Sequence, residues 1–142
     1  MEKKLWQFKK TVLPQHADHA GVLWHGTYIN WLEEARIDSL NNVGLRYIDL
    51  LKRGLEMPVY NLQIRYLVPI KIGQDIIIKS SYDINKSPRI KLNSGFFCKN
   101  EICYTKVSLD LVLIDRDSFK VVRKRPKFMD IYFENLVKDR IK

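Results

Sequence analysis

One change of periodicity constrains this chain more than any other feature. From about Thr27 to Val43 the apolar residues recur at helical spacing. Ile29, Leu32, Ala35, Ser39 and Val43 fall on one face, and Trp31 and Leu40 widen it. Thr27 is placed as an N-cap, and Gly44 stands where a helix stops. A short second helix is expected from about Arg46 to Lys52, before Gly54. The period then switches to two and stays there. In "YNLQIRYLV", Tyr60, Leu62, Ile64, Tyr66 and Val68 point one way while Asn61, Gln63 and Arg65 point the other. "IIIKSSYDI" repeats the pattern with Ile76, Ile78, Ser80, Tyr82 and Ile84. "RIKLNSGFFCK" and "ICYTKVSLDLVLID" make a long hairpin, and "LWQFKKTVL" makes a first strand. "FKVVRKRP" is expected as a short basic strand after the turn "DRDS", and Phe128, Ile131, Tyr132 and Leu136 mark a C-terminal helix. One buried helix followed by long antiparallel strands predicts an α+β fold, a single domain over residues 1–142 with one sheet wrapped along one helix.

The chain carries 25 Lys and Arg against 16 Asp and Glu, a formal charge of +9, with 46% hydrophobic residues. That composition excludes a disordered chain and favours anionic partners. A nucleic-acid binder is one reading, but the basic residues form no dense stripe interleaved with aromatics and no nucleic-acid motif is present. The expectation is therefore no nucleic-acid partner. No apolar run approaches membrane-spanning length, and "MEKKLWQFKK" is too charged for a signal peptide, so a cytoplasmic protein without a membrane partner is expected. Cys98 and Cys103 would face each other if Asn100-Glu101 were a two-residue turn, and a cytoplasmic setting favours free thiols.

The segment "HADHAGVLWHGTY" holds all three histidines, His16, His19 and His25, around Asp18. No HExxH pattern is present and the glycines place the segment in a loop, so no metal is expected. Phosphate-loop glycine patterns are absent too. The spacing also allows acyl transfer, although on spacing alone a plain turn and helix cap is the commoner reading. A carboxylate a few residues before a helix start could act on a carbonyl whose oxygen rests against the first free N–H groups of the helix. Gly21 and Gly26 would let backbone approach substrate closely. The plainer alternative has Asp18 serving only an Asx turn, with His25 or Thr27 only capping the helix.

"HADHAGVLWHGTYINWLEEAR" resembles the signature of the hotdog-fold thioesterases of the 4-hydroxybenzoyl-CoA type. Asp18, Gly21, Val22, Trp24, His25, Tyr28, Glu34, Ala35 and Arg36 all fall in place, and the resemblance extends along nearly the whole chain. Within the family, the form with Trp24 and "WLEEAR" is most similar to the branch that hydrolyses 1,4-dihydroxy-2-naphthoyl-CoA in photosynthetic bacteria. The resemblance implies a hotdog fold, an acyl-CoA substrate, no cofactor, and a homo-oligomer, dimer or tetramer, with its site between subunits. It implies Asp18 as catalytic carboxylate and the backbone N–H of His25 as oxyanion donor. Gly21, Val22, Trp24 and Tyr28 would contact substrate. Lys86, Arg89, Lys91, Arg123 and Arg125 are candidate partners for the coenzyme A phosphates. A rival carboxylate on the helix, Glu33 or Glu34, is better explained by ion pairing with Arg36.

Overall fold

The period-two stretches pair as antiparallel strands. In the computed structural model, which describes residues 3–85 and 87–138, five of them form one sheet: β1 (Trp6–Thr11), β3 (Val59–Tyr66), β4 (Asp75–Ile84), β5 (Arg89–Phe97) and β6 (Cys103–Val112). Their order across the sheet is β1-β4-β5-β6-β3, so β1 and β3 are the edges. A two-residue ribbon joins β2 (Leu55–Glu56) to β7 (Ile114–Asp115). The helices are α1 (His25–Asn42), α2 (Tyr47–Lys52) and α3 (Asp130–Val137). Among the described residues no helix is long and apolar enough to cross a membrane.

Side-chain alternation gives the sheet two unlike faces. Ile76, Ile78 and Tyr82 on β4, Ile90, Leu92 and Phe96 on β5, and Val107, Leu109 and Leu111 on β6 are buried. The opposite face is polar, with Lys91 paired to Asp110 at 3.6 Å and Asn93 donating to Asp83 at 3.0 Å. α1 lies along the apolar face. Near its start, Tyr28 and Trp31 meet Phe96, with ring centroids 5.1 and 6.5 Å apart. Further on, the Ser39 and Tyr82 hydroxyls meet at 2.6 Å. Phe96 pairs with Ile78. From there to Tyr82 is about 13 Å of strand, and from Trp31 to Ser39 is about 12 Å of helix. The matched rises show the helix running with the strands, which is the arrangement expected of one sheet wrapped along one helix.

Several local expectations are corrected. α1 begins at His25, with Trp24 at the N-cap position and no side-chain cap. The Thr27 hydroxyl donates instead to the His16 carbonyl at 3.0 Å. The buried face of α1 adds Tyr28 and Arg36 to the expected Leu32, Ala35, Ser39 and Leu40, while Ile29 is 43% exposed. Phe119 to Pro126 form no strand, because only Val121 bridges, to Ile114. The Asp115 carboxylate gathers the Asp117 and Ser118 N–H groups into a tight turn, and the chain folds back on Leu113 to Asp115 through two backbone bonds, Asp115 N–H to the Lys120 carbonyl and Val122 N–H to the Leu113 carbonyl. In α3, Phe133 and Leu136 face the core and Ile131 is exposed. The turn after β5 spans three residues, with Glu101 at φ 63°. Cys98 therefore bonds across to Ile102, and Cys103 pairs with Phe97. Both thiols are free.

Candidate active site

Asp18 sits in a loop that folds on itself and is then stapled to a distant segment. Its Oδ1 accepts N–H groups from Ala20 at 2.8 Å and Val22 at 3.4 Å. Its carbonyl accepts the Gly21 N–H at 3.0 Å, and its own N–H donates to the Val22 carbonyl at 2.8 Å. Gly21 makes this turn at φ +79°, a conformation side chains disfavour. Leu23 N–H then donates to the Ile70 carbonyl at 2.7 Å, and Ile72 N–H to the Gly21 carbonyl at 3.2 Å. Ile70, fully buried, anchors the staple. Asp18 Oδ2 carries no hydrogen bond to the described residues and is available to a ligand.

α1 starts seven residues after Asp18. The N–H groups of His25 and Gly26 precede the first intrahelical bond. The carbonyl that would serve His25 in a longer helix, that of Gly21, is taken by Ile72. No acidic residue stands in the first turn of α1, so nothing on the helix competes for an incoming negative charge.

Both features open on one cavity of about 490 Å³, walled by Asp18, Val22, His25, Tyr28, Tyr66 and the run Leu67 to Ile70. The structure thus brings together four of the residues read from the sequence: Asp18, Val22, His25 and Tyr28. Gly21 shapes the turn behind them. Trp24 lies outside this wall, its ring against His25 at 5.0 Å and over Gly26, where it leaves no room for a side chain. Tyr28 packs edge-on against Tyr66, centroids 5.0 Å apart, and its burial raises the phenol pKa. The wall from Leu67 to Pro69 was not foreseen, and its only sequence signal is an apolar run, "LVPI", interrupted by proline. His16 is used locally: its Nδ1 accepts the Leu13 N–H at 3.0 Å and its ring meets Trp31. Glu33 ion-pairs with Arg36, as the spacing suggested. Glu34 pairs with Lys10 at 3.2 Å. Among the described residues no three His, Cys, Asp or Glu side chains group closely enough to hold a metal ion.

The basic residues gather at the other end of the sheet. Arg89 pairs with Val112, whereas Tyr66 pairs with Thr105. Seven strand residues, about 23 Å, separate the two ends. Arg89 and Arg123 share a cavity of about 580 Å³ with Tyr60, over whose ring the Arg89 guanidinium sits at 5.6 Å. Arg123 and Arg125 line an adjoining cavity of about 520 Å³. Arg125 is tied to Asp130 and to the Asn85 carbonyl. Lys91 points to the opposite, polar face, and Lys86 lies outside the described residues.

The sequence pattern of the thioesterase superfamily matches residues 20–82, beginning two residues after Asp18. The protein sll0410 of Synechocystis, which carries an esterase name, is 36% identical over 126 residues, 87% of this chain and 75% of its own. A 1,4-dihydroxy-2-naphthoyl-CoA hydrolase of Prochlorococcus marinus is 27% identical over 141 residues, 94% of this chain and 93% of its own. The crystal structure of a DHNA-CoA thioesterase from Staphylococcus aureus matches with a TM-score of 0.79 at 26% identity, over 94% of this chain and 91% of that one. With a helix laid along an antiparallel sheet, Asp18 and the first residue of that helix lining one cavity, and these relatives, the chain belongs to the hotdog-fold thioesterase superfamily and is a thioester hydrolase.

Proposed function

We propose that the chain hydrolyses an aromatic acyl-CoA, 1,4-dihydroxy-2-naphthoyl-CoA, to 1,4-dihydroxy-2-naphthoate and free coenzyme A, a step of phylloquinone synthesis in the cytoplasm. One observation carries the reading: the Asp18 carboxylate and the open start of α1 share a single cavity walled by tyrosines. The thioester carbonyl oxygen would rest against the His25 N–H, where the helix dipole and an unpaired donor favour it as it becomes an oxyanion. Asp18 Oδ2 would then attack the carbonyl carbon, giving an acyl-aspartyl anhydride that water cleaves, or would take a proton from the attacking water. Either route breaks the carbon–sulfur bond, and the departing thiolate gains a proton to become CoA-SH. Val22, Tyr28 and Tyr66 would hold the aromatic ring, with Gly21 keeping the turn and Trp24 flanking the entrance. The hydrolase of Prochlorococcus and the S. aureus thioesterase lend the naphthoyl substrate its support.

The reading includes a second copy of the chain. Among the described residues β3 pairs as a strand with β6 alone, and Val59, Tyr60, Tyr66, Leu67 and Val68 along that edge are each more than a third exposed. An unpaired edge bearing apolar side chains invites strand pairing. Two-fold antiparallel pairing of β3 with its copy would set the Tyr60 end of one chain beside the Tyr66 end of the other. The Arg89–Arg123 cleft of the partner would then stand near Asp18, where it could hold the coenzyme A phosphates. Such dimers would pair into a tetramer. Among the other candidates, Arg125 and Lys91 already have acidic partners, so Arg89 and Arg123 carry this role.

The test is turnover of aromatic, short-chain and long-chain acyl-CoA by wild type and Asp18→Asn, read as free thiol, with matching acyl carrier protein thioesters alongside. The expected result is fast hydrolysis of the naphthoyl thioester, reduced at least 1,000-fold in Asp18→Asn. Full activity in Asp18→Asn moves the chemistry off the loop. Preference for the carrier protein thioesters selects the alternative of a broader acyl-CoA or carrier-protein thioesterase, which the +9 charge also suits.

A further inference from the structure

Two buried side-chain polar atoms among the described residues have no hydrogen-bond partner: Arg36 Nε and Thr105 Oγ1. Arg36 is otherwise engaged, donating to the Met57 carbonyl at 2.8 Å and to Glu33. Thr105 has no such engagement. It is wholly buried and begins the inward row that continues as Val107, Leu109 and Leu111. A valine of the same shape would keep that row apolar and leave no hydroxyl unpaired. The fold therefore gains nothing visible from the Thr105 oxygen.

Its surroundings give it a use. Thr105 pairs with Tyr66 across one side of β6 and with Phe96 across the other. Tyr28 touches both of those rings, at 5.0 and 5.1 Å between centroids, so it sits above Thr105. Tyr28 and Tyr66 are walls of the cavity that holds Asp18 and His25. The Thr105 hydroxyl makes no well-formed bond, yet it lies close enough to ease the Tyr28 phenol pKa down against the upward push of burial. A threonine under a tyrosine at the back of the acyl cavity is a device for aiming one proton.

We propose that Thr105 is a positioning residue for Tyr28, and that the pair selects acyl groups bearing a ring oxygen. Thr105 Oγ1–H donates to the Tyr28 phenolic oxygen. The phenol proton is thereby turned into the cavity, where it is donated to an oxygen substituent of the bound acyl ring. No bond is made or broken, and the contact holds equally before and during hydrolysis. Its effect therefore falls on KM rather than kcat. The inference rests on the aromatic acyl-CoA reading above and adds a determinant to it: an acyl ring without oxygen gains nothing from Thr105.

The experiment measures kcat and KM on 1,4-dihydroxy-2-naphthoyl-CoA and on 2-naphthoyl-CoA for wild type, Thr105→Val, Thr105→Ser and Tyr28→Phe, with free thiol as readout. Thr105→Val is expected to raise KM for the dihydroxy substrate about tenfold, leaving 2-naphthoyl-CoA within twofold. Tyr28→Phe is expected to abolish the preference for the dihydroxy substrate, whatever it does to ring binding as such. The double variant is expected to show no further loss of that preference, and Thr105→Ser is expected to behave as wild type. Thr105→Val is also expected to melt no lower than wild type, since it removes an unpaired buried hydroxyl. Equal losses on both thioesters, no loss on either, or a Thr105→Ser variant as impaired as Thr105→Val each overturn the proposal. Wild type that hydrolyses both thioesters without preference overturns it too, and leaves the aromatic thioesterase reading standing. Wild type that hydrolyses neither removes that reading and this proposal together.

Discussion

The two ends of α1 are finished in opposite ways. At its C-terminus three carbonyls of the last turn are gathered in. Val43 N–H donates to the Ser39 and Leu40 carbonyls, Gly44 to Asn41, and Leu45 to Leu40 at 3.0 Å. Gly44 turns the chain at φ +89°, and Leu45 closes onto the core at 2% exposure. That pattern is a Schellman closure with its hydrophobic contact. At the N-terminus, Trp24 offers no side-chain oxygen, no acid stands in the first turn, and the first helical residue, His25, lines a cavity. Capping such an end stabilises a helix by about 1 kcal/mol, so this chain forgoes stability at one end that it takes at the other. The forgone cap lies where the proposed reaction develops negative charge. On the proposed mechanism, the closed end holds the helix in place while the open end serves the reaction.

This division can be broken from either side. The largest effect is expected from Leu40→Ala beneath the closed end, about 3 kcal/mol of unfolding free energy by denaturant titration. Turnover per folded molecule should persist, and its loss in fully folded protein would refute the separation of roles. Gly44→Ala forces a β-carbon into a left-handed turn and should lower stability by about 1–2 kcal/mol, again with the KM of the thioester unmoved. Tyr82 sharpens the picture through pH. Burial pushes its phenol up to about 12, opposed by the Ser39 hydroxyl and Arg36. A raised folded pKa means the contribution is intact below the unfolded pKa near 10 and is lost as pH climbs from there towards about 12. Stability should fall by up to about 1.4 kcal/mol per pH unit in that window, and Tyr82→Phe should flatten the slope. The smallest change in stability, and the most telling, is expected from Trp24→Asp. A carboxylate at the N-cap should raise stability by about 1 kcal/mol and lower thioester turnover, because it takes first-turn N–H groups and opposes a developing oxyanion. Stabilisation with undiminished turnover would show that the open end serves some other purpose.

The same contrast governs what could be read from the sequence. The strands were legible because an alternating row such as Ile76, Ile78, Ser80 and Tyr82 announces its own faces. The closed end of α1 was legible because Gly44 is a residue with few other uses. The open end was not, since it lacks the capping residue that marks a start. Thr27 has the right chemistry for a cap, but its hydroxyl reaches back to His16. Ile29 lies at the edge of the stripe, while Tyr28 is in phase with Ala35 and Ser39 at its centre, so Tyr28 is buried and Ile29 is exposed. Asp18, Val22, His25 and Tyr28 could be named because the resemblance to a family signature covers them within eleven consecutive residues. Leu67 to Ile70 were missed because backbone pairing between Leu23 and Ile70, far apart in sequence, brings that wall into place. The supposed strand after Phe119 failed because four donors converge on side chains of the Asp115 turn, a local device that alternation cannot reveal.

At the end of β3, the N–H groups of Leu67 and Val68 both donate to the Tyr104 carbonyl at 3.0 Å. Two residues there oppose one, so the chain carries an extra unit of length at the point where it leaves the sheet to form the cavity wall. The wall is thus a matter of counting as much as of chemistry. Exchanging Leu67 or Val68 for another apolar residue should be absorbed, whereas deleting either one would restore strict alternation and swing Pro69 and Ile70 to the wrong face. The staple between Leu23 and Ile70 would come undone, and the Asp18 loop would lose its anchor although no residue in it had changed. In the divergence of such chains, this short stretch should drift freely in composition and hold its length.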